Sequence, residues 1–397
     1  MENRLTANIH PEIKLLSNKI TAIRREIHQH PELGFEEFRT SKLIANFLRK
    51  RGILVEENVG KTGVVGLIKG LAPGPTIAFR ADMDALTIQE KSKHNYISLV
   101  KGKMHACGHD GHVAMLLGVA EVLSNKSKLL AGNVKFIFQP AEEGGGGARF
   151  MIEDGCLDGV DEIYGMHLWN FQKFGTFGIK PGPVMASADK FNITVNGTGG
   201  HGAAPQGTVD AIMVSSHLVM ALQTIVSRNI NPLESAVVSV GKINGGSNFN
   251  IITDSVELEG TARAYTEENR SIIKYRMQEI CSGIARTYGA KIDLDYIDGY
   301  PPTINNERLT NVMREAGKRV VGENTVEPFL SMGGEDFSYY AQKIPASFGF
   351  VGSAPKNKKI GEVPHHHPEF DFEEDAMLIG ASIFLEIIDK QLISKRK

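Results

Sequence analysis

Val134-Lys-Phe-Ile-Phe-Gln139-Pro-Ala-Glu142-Glu143, followed by glycine at every position from 144 to 147, sets the fold class. Its first five residues are mostly apolar, as in a strand buried on both faces, and Pro140 marks where pairing must stop. Val64–Ile68, Thr76–Arg80 and Glu162–His167 have the same character and alternate with helical stretches at Val113–Leu123 and Ala148–Glu153. That alternation predicts an α/β fold whose mainly parallel central sheet is covered on both faces. Upstream, Ile13, Leu16, Ile20, Ile23 and Ile27 form one amphipathic stripe ended at Pro31. A second helix is expected to run to about Lys50, with Leu43, Ile44, Phe47 and Leu48 on one side and Gly52 as its C-cap.

Beyond Pro183 the pattern changes. Strand (Lys190–Asn196), helix (Val209–Arg228), strand (Ala236–Ile243), strand (Ser255–Tyr265), helix (Glu267–Tyr288) and strand (Lys291–Ile297) follow in the order β-α-β-β-α-β. This order predicts a ferredoxin-like α+β unit, four antiparallel strands with two helices on one face. From about Thr303 the α/β pattern resumes, with a buried strand at Phe348–Val351 and a last helix at Met377–Leu392. The expected organisation is a discontinuous first domain, residues 1–186 and 301–397, interrupted by an inserted domain, residues 187–300.

The 397 residues, 42% of them hydrophobic, suffice for a sizeable core and two or three domains. Against 44 basic residues stand 46 acidic ones, a net charge of −2, so no broad positive field favours nucleic acid or an anionic membrane surface. A small molecule or another protein is the expected partner. With 23% charged residues and no low-complexity tract, disorder and fibrous architectures are excluded. Cys107, Cys156 and Cys281 cannot staple a chain of this length, which points to a reducing compartment, the cytoplasm. The opening MENRLTANIHPEIKLL lacks the pattern of a signal peptide, and no apolar run approaches the ~20 residues of a bilayer span. The tail Lys395-Arg396-Lys397 reads as a solvated end.

His105-Ala-Cys107-Gly-His109-Asp110-Gly-His112 gathers three imidazoles, a thiol and a carboxylate between a strand region and a helix. Cys and His are the usual sulfur and nitrogen ligands of transition metals, and the two glycines allow the tight backbone that converging ligands require. Glu142 and Glu143 cap a buried strand, where open α/β sheets bind ligands, so one can hold metal while the other moves protons. His167 ends the next strand, and Pro364-His365-His366-His367-Pro368 offers a further imidazole on a loop stiffened by its prolines. Cys107, His109, one of the two glutamates, His167 and one of His365–His367 supply more mixed donors than a single tetrahedral ion takes, so two ions are expected. Such a pair activates water and polarises a carbonyl, which is the hydrolysis of an amide or ester. No G-x-S-x-G elbow, phosphate loop or G-x-G-x-x-G register competes, and Cys156 and Cys281 read as packing residues.

The ordered motifs RADMDAL (Arg80–Leu86), HACGHDGH, QPAEEGGGGA, GTGGHGAAP (Gly197–Pro205), GTARAY (Gly260–Tyr265), MGGEDF (Met332–Phe337) and HHHPEFDF span almost the whole chain. In that order they resemble the aminoacylase and hippurate hydrolase family, which includes bacterial N-acetyl-amino-acid deacetylases and plant auxin-conjugate hydrolases. The resemblance implies a zinc-peptidase-like catalytic domain, a smaller lid domain through which the chains form homodimers or tetramers, and two divalent ions, zinc or manganese, with cobalt and nickel as alternatives. It assigns Cys107, His109, Glu143, His167 and His366 as metal ligands and Glu142 as the general base. It further makes His201 the lid histidine that reaches the partner subunit's active site and stabilises the developing oxyanion. Asn250 and Arg263 become substrate-holding lid residues, Asp84 an orienting group behind a ligand, and Glu335 and Asp336 either orienting groups or closers of the pocket. One departure is visible: Thr87 stands where the family usually has proline. The implied reaction is hydrolysis of N-acyl-L-amino acids of the N-acetyl or N-benzoyl type to a carboxylate and a free amino acid. The alternatives are a dipeptidase of the same fold and a catalytically silent metal-binding dimer.

Overall fold

The Val134–Phe138 run lies within a strand, Ala131–Gln139, whose last four residues are fully buried. On one side it pairs in parallel with Ala72–Asp82, which pairs in parallel with Glu162–Lys173, which in turn pairs in parallel with Ala346–Ala354. On its other side it pairs antiparallel with Gly63–Lys69. The sheet has eight strands and is parallel at its centre, as near-continuous apolar strands joined by helices require. Its edge is a hairpin of Leu54–Val59 with Gly63–Lys69. The sequence pattern did not announce Leu54–Val59, because this edge strand alternates exposed and part-buried residues and has no apolar run.

The structure is a computed structural model that describes residues 7–393, so the start of the N-terminal segment and the Lys395–Lys397 tail lie outside the described residues. The stripe from Ile13 to Ile27 divides into two helices, Pro11–Leu15 and Ser17–Gln29, with the break at Leu16. The next helix, Phe38–Arg49, stops before Gly52, whose positive φ of 69° takes the chain into the left-handed region. Helix His109–Ser124 is buried along nearly its whole length, packed by Ser17–Gln29 and by the last helix, Ala376–Leu392. A helix apolar all round has to be enclosed in this way.

By contact the chain forms two units: one comprises the chain up to Gly182, Ile304–Phe329 and the chain from Asp336, the other Pro183–Thr303 with Leu330–Glu335. Leu330–Glu335 falls inside the expected segment 301–397, yet it groups with the second unit. Ala186 N donates to Gly333 O at 2.9 Å and the Tyr265 hydroxyl to Ser331 O at 2.9 Å, which ties the short segment there.

In the second unit Ala188–Asn196, Ala236–Gly245, Ser255–Ala264 and Lys291–Tyr300 form a four-stranded antiparallel sheet, with Ala188–Asn196 and Ser255–Ala264 in the middle. Helix Ala211–Asn229 starts at Asp210, whose carboxylate accepts from Ile212 N and Met213 N. Helix Glu267–Tyr288 is bounded by a Thr266 N-cap and by Gly289 in the left-handed conformation. Contrary to the expectation that no apolar run nears bilayer length, Ala211–Asn229 is long and apolar enough to cross one. Its Val214, Leu218, Leu222 and Ile225 are instead buried against Phe191, Ile193 and Leu258, so that stripe is the core face of the unit.

Candidate metal centre

Register brings the site residues to one end of the sheet. Asp82 stands opposite Gln139, so the strand that ends at Asp82 and the one that leads into the Glu142 turn end level. Arg80 stands opposite Gly165, which sets His167, two residues further on, level with Asp82. His167 does not end its strand as expected; the strand continues to Lys173, and it is the pairing with the neighbouring strand that ends, at Arg80 opposite Gly165, just before His167. Cys107 precedes helix His109–Ser124, and Gly108 makes the tight turn between them at φ 99°, a conformation that disfavours any residue with a Cβ.

Asp84 organises the glutamate loop. Its carboxylate accepts from Glu142 N at 3.0 Å, from Glu143 N at 2.9 Å and from His109 Nδ1 at 3.2 Å. Ala141, at φ 51°, is held by its N–H donating to the buried Glu37 carboxylate at 2.9 Å. With Nδ1 engaged, His109 Nε2 has no hydrogen-bond partner and is buried. His167 behaves alike: Nδ1 bonds Leu168 O at 2.7 Å, while Nε2 lies 3.5 Å from Cys107 Sγ. Imidazoles tied at one nitrogen with the other turned to the donor cluster are the arrangement metal ligation uses.

The donor atoms of Cys107, His109 and His167 lie within 4.8 Å of one another, and so do those of Cys107, Glu143 and His366 and those of His109, Glu142 and Glu143. The histidine run resolves by what each ring touches. His366, at φ 66°, places Nε2 3.0 Å from Glu143 Oε1. His365 is part-buried with one ring nitrogen on Cys107 O and the other on Asn170 N, and His367 turns back to accept from Glu369 N. His112 is likewise consumed, by Asp82 at Nδ1 and by Leu168 N at Nε2, and His105 lies toward His28, 6.4 Å between ring centres.

Electrostatically the pocket asks for cations. Burial opposes charge on His109, yet Asp82 and Asp84 push its pKa up to about 10, so these carboxylates favour positive charge at this ring. Burial, then Glu143 and Glu142, raise the Cys107 thiol well above its ordinary value. One sulfur, three imidazoles and a carboxylate in a buried, carboxylate-rich cleft suit zinc-class divalent ions.

Residues 78–390 match Peptidase family M20/M25/M40. The chain belongs to this family. It is 43% identical over 385 residues to an N-acetyl-L-cysteine deacetylase of Bacillus subtilis, covering 97% of this chain and 91% of that one. It is 44% identical over 382 residues to thermostable carboxypeptidase 2 of Saccharolobus solfataricus, covering 95% and 96%. Its structure is similar to that of a dinuclear metal-binding M20 peptidase of Bacillus subtilis, with a TM-score of 0.83, 38% identity and coverage of 94% of this chain and 98% of that one. The M20 chain described here is accordingly a metallohydrolase acting on amides, with a zinc-peptidase-like catalytic unit and two metal ions.

The motifs named Arg80 and Asp336 without the contacts that join them in this M20 enzyme. Arg80, buried, donates to Asp82 at 2.7 Å, Gln139 at 2.8 Å and Asp336 at 2.8 Å. Asp336 also accepts from Ala148 N at 3.0 Å, so it locks three segments together below the site. Glu335 belongs to the other unit, where its backbone O accepts from Thr303. Thr87 is an exposed bend residue. In the second unit His201 and Asn250 are brought together: a two-residue ladder pairs His201 with Ile251, and Gly202 N donates to Asn250 O at 2.8 Å. Arg263 stands in the four-stranded sheet, half-buried, with Nη1 donating to Asp189 O at 3.3 Å and Ala262 O at 3.1 Å.

Two outcomes follow from these contacts. Asp84→Ala removes the orienting partner of His109 and of the glutamate loop, and metal affinity should fall about 10–100-fold, read by competition with a chelator. Burial, with Asp84 nearby, raises Glu37 to about 7 from 4.5 despite the hydrogen bond from Thr62. The folded metal-free protein therefore holds this proton more tightly than the unfolded chain does. The stabilisation is complete below about pH 4.5 and is lost as pH rises through 7, about 3 kcal/mol in all. Glu37→Gln should flatten that slope in urea titrations of chelated protein.

Proposed function

We propose that this M20 enzyme hydrolyses the amide bond of N-acyl-L-amino acids, of the N-acetyl or N-benzoyl type, releasing a carboxylate and a free amino acid. The observation that carries the reading is Glu142, set beside His109 and Glu143 with its backbone N–H anchored on Asp84. Cys107, His109, Glu143, His167 and His366 are the ligands in this reading, and zinc or manganese the ions, with cobalt and nickel as alternatives. When bound, such ions lower the pKa of a water and polarise the amide carbonyl. Glu142 takes a proton from the attacking water as its oxygen bonds the carbonyl carbon, and returns that proton to the leaving nitrogen as the C–N bond breaks.

His201 supplies the oxyanion donor of a partner subunit. Its Nδ1 accepts from Ala203 N at 3.0 Å, which leaves the hydrogen on Nε2, and the residue is exposed. Asn250 beside it and Arg263 hold the substrate, Arg263 as a cation for the substrate carboxylate. The enzyme acts as a homodimer joined through the inserted unit, a tetramer being the other assembly that the reading admits, and works in the cytoplasm, where its cysteines, all free among the described residues, stay reduced. His201→Ala should lower kcat about 10²–10³-fold at unchanged metal content; an undiminished kcat would remove His201 from the mechanism.

The test is amino-acid release from N-acetyl, N-benzoyl and N-succinyl amino acids by chelated enzyme restored with zinc, manganese, cobalt or nickel. Release that requires metal supports the reading. The carboxypeptidase relative favours a second one, dipeptide hydrolysis by the same residues; release from dipeptides alone would select it. Full metal content without turnover on either class would select a silent binding dimer, against which stands the presence of every expected ligand and of Glu142.

A further inference from the structure

A second cluster of metal-type donors lies in the catalytic unit outside the site just described. His28 projects from helix Ser17–Gln29, and Glu90 and His94 come from the segment that follows Asp84. We propose that His28 Nε2, Glu90 Oε1 and His94 Nε2 bind one further divalent cation of the zinc class, separate from the catalytic pair.

Geometry supports this first. Glu90 Oε1 lies 3.3 Å from His28 Nε2 and 3.1 Å from His94 Nε2, and the three donor atoms fall within 4.8 Å of one another. Ligands on a tetrahedral ion with bonds of about 2.0–2.1 Å stand about 3.3 Å apart, so both distances to Glu90 Oε1 match. His28 is oriented as a ligand would be: Nδ1 lies 2.7 Å from Asp110, which Arg24 Nε and Gly111 N hold at 2.9 Å each. That is a carboxylate–imidazole pair with the far nitrogen turned to the cluster. Glu90 Oε2 is taken by Ser98 N at 2.6 Å, which leaves Oε1 between the two rings.

Chemistry supports it second. Neither ring nitrogen of His94 makes a hydrogen bond although both are buried, and its close approach to Glu90 lacks hydrogen-bond geometry. A buried imidazole nitrogen without a partner is costly, and a cation at this point satisfies His94 Nε2 and replaces the proton shared by His28 and Glu90. Access exists as well. His94 and Tyr96 line an open cavity of about 600 Å³ that also meets Lys91, Glu369 and Asp371, through which an ion with its remaining water enters.

The experiment is a count of bound metal on full-length protein dialysed against buffered free zinc. His94→Ala is expected to bind one zinc equivalent fewer than wild type with its amidase activity unchanged, because His94 touches none of the catalytic donors. Glu90→Gln is the second variant and should lose the same equivalent. Cobalt reports which site empties: His94→Ala should alter the d–d bands but leave the thiolate-to-cobalt band of Cys107. The difference of one equivalent does not depend on how many ions the catalytic centre takes, so failure of the dinuclear reading would leave it intact. Equal zinc content in wild type and both variants would overturn the proposal, as would loss of the thiolate band in His94→Ala.

Discussion

Glu142→Gln is expected to lower kcat about 10²–10⁴-fold while the enzyme keeps its full metal content. The amide keeps the shape of the side chain but cannot accept the proton that water gives up. Its backbone is unaffected, since Glu142 N donates to Asp84 Oδ1 whichever side chain follows. Glu143→Gln should behave differently. There the carboxylate lies against His366 and within reach of Cys107, so metal content falls together with turnover. Metal analysis beside steady-state kinetics separates the two glutamates. Loss of metal in Glu142→Gln, or full activity in it, would reverse their roles.

Arg24→Met is expected to destabilise the catalytic unit by about 3–5 kcal/mol. Arg24 is fully buried and its guanidinium bonds Asp110 at 2.9 Å, Asp371 at 2.9 Å and Glu374 at 3.1 Å, sandwiched between the rings of Tyr96 and Phe372. Methionine fills most of the volume but leaves Asp110, which is also fully buried, without its cation. Burial opposes charge on Asp110, yet Arg24 and His28 hold its carboxyl well below the usual carboxylate range. A depressed carboxyl stabilises the fold above its unfolded value, about 3.9, and loses that contribution as pH falls toward the folded one. The gap between wild type and Arg24→Met should therefore be widest near neutrality and narrow below about pH 4, as measured by urea midpoints at each pH. A constant gap would mean that lost packing, not the unpaired carboxylate, sets the cost. Because Asp110 sits in the first turn of the helix that begins with His109, the variant should also weaken metal retention.

The parallel centre of the large sheet, the β-α-β-β-α-β order of the inserted unit and its two helices were legible in the sequence, because apolar periodicity and caps such as Asp210, Thr266 and Gly289 are local properties of the chain. The chemistry was legible too, since Cys107, His109, Glu142, Glu143 and His167 are residue types that metal sites select, standing at turns and strand ends. Residue type and spacing left three neighbouring histidines equivalent, and it was the family resemblance that pointed to His366. The tertiary structure gives the physical difference, turning His366 to Glu143 while Asn170 and the Cys107 carbonyl take up His365. Nor did any local pattern announce that Arg80 would meet Asp336, 256 positions away, or that His28 and Glu90 would converge on one point. Periodicity and capping act within a few residues, whereas a buried charge finds its partner only after distant segments have packed, and the cost of leaving it unpaired is what makes that packing specific.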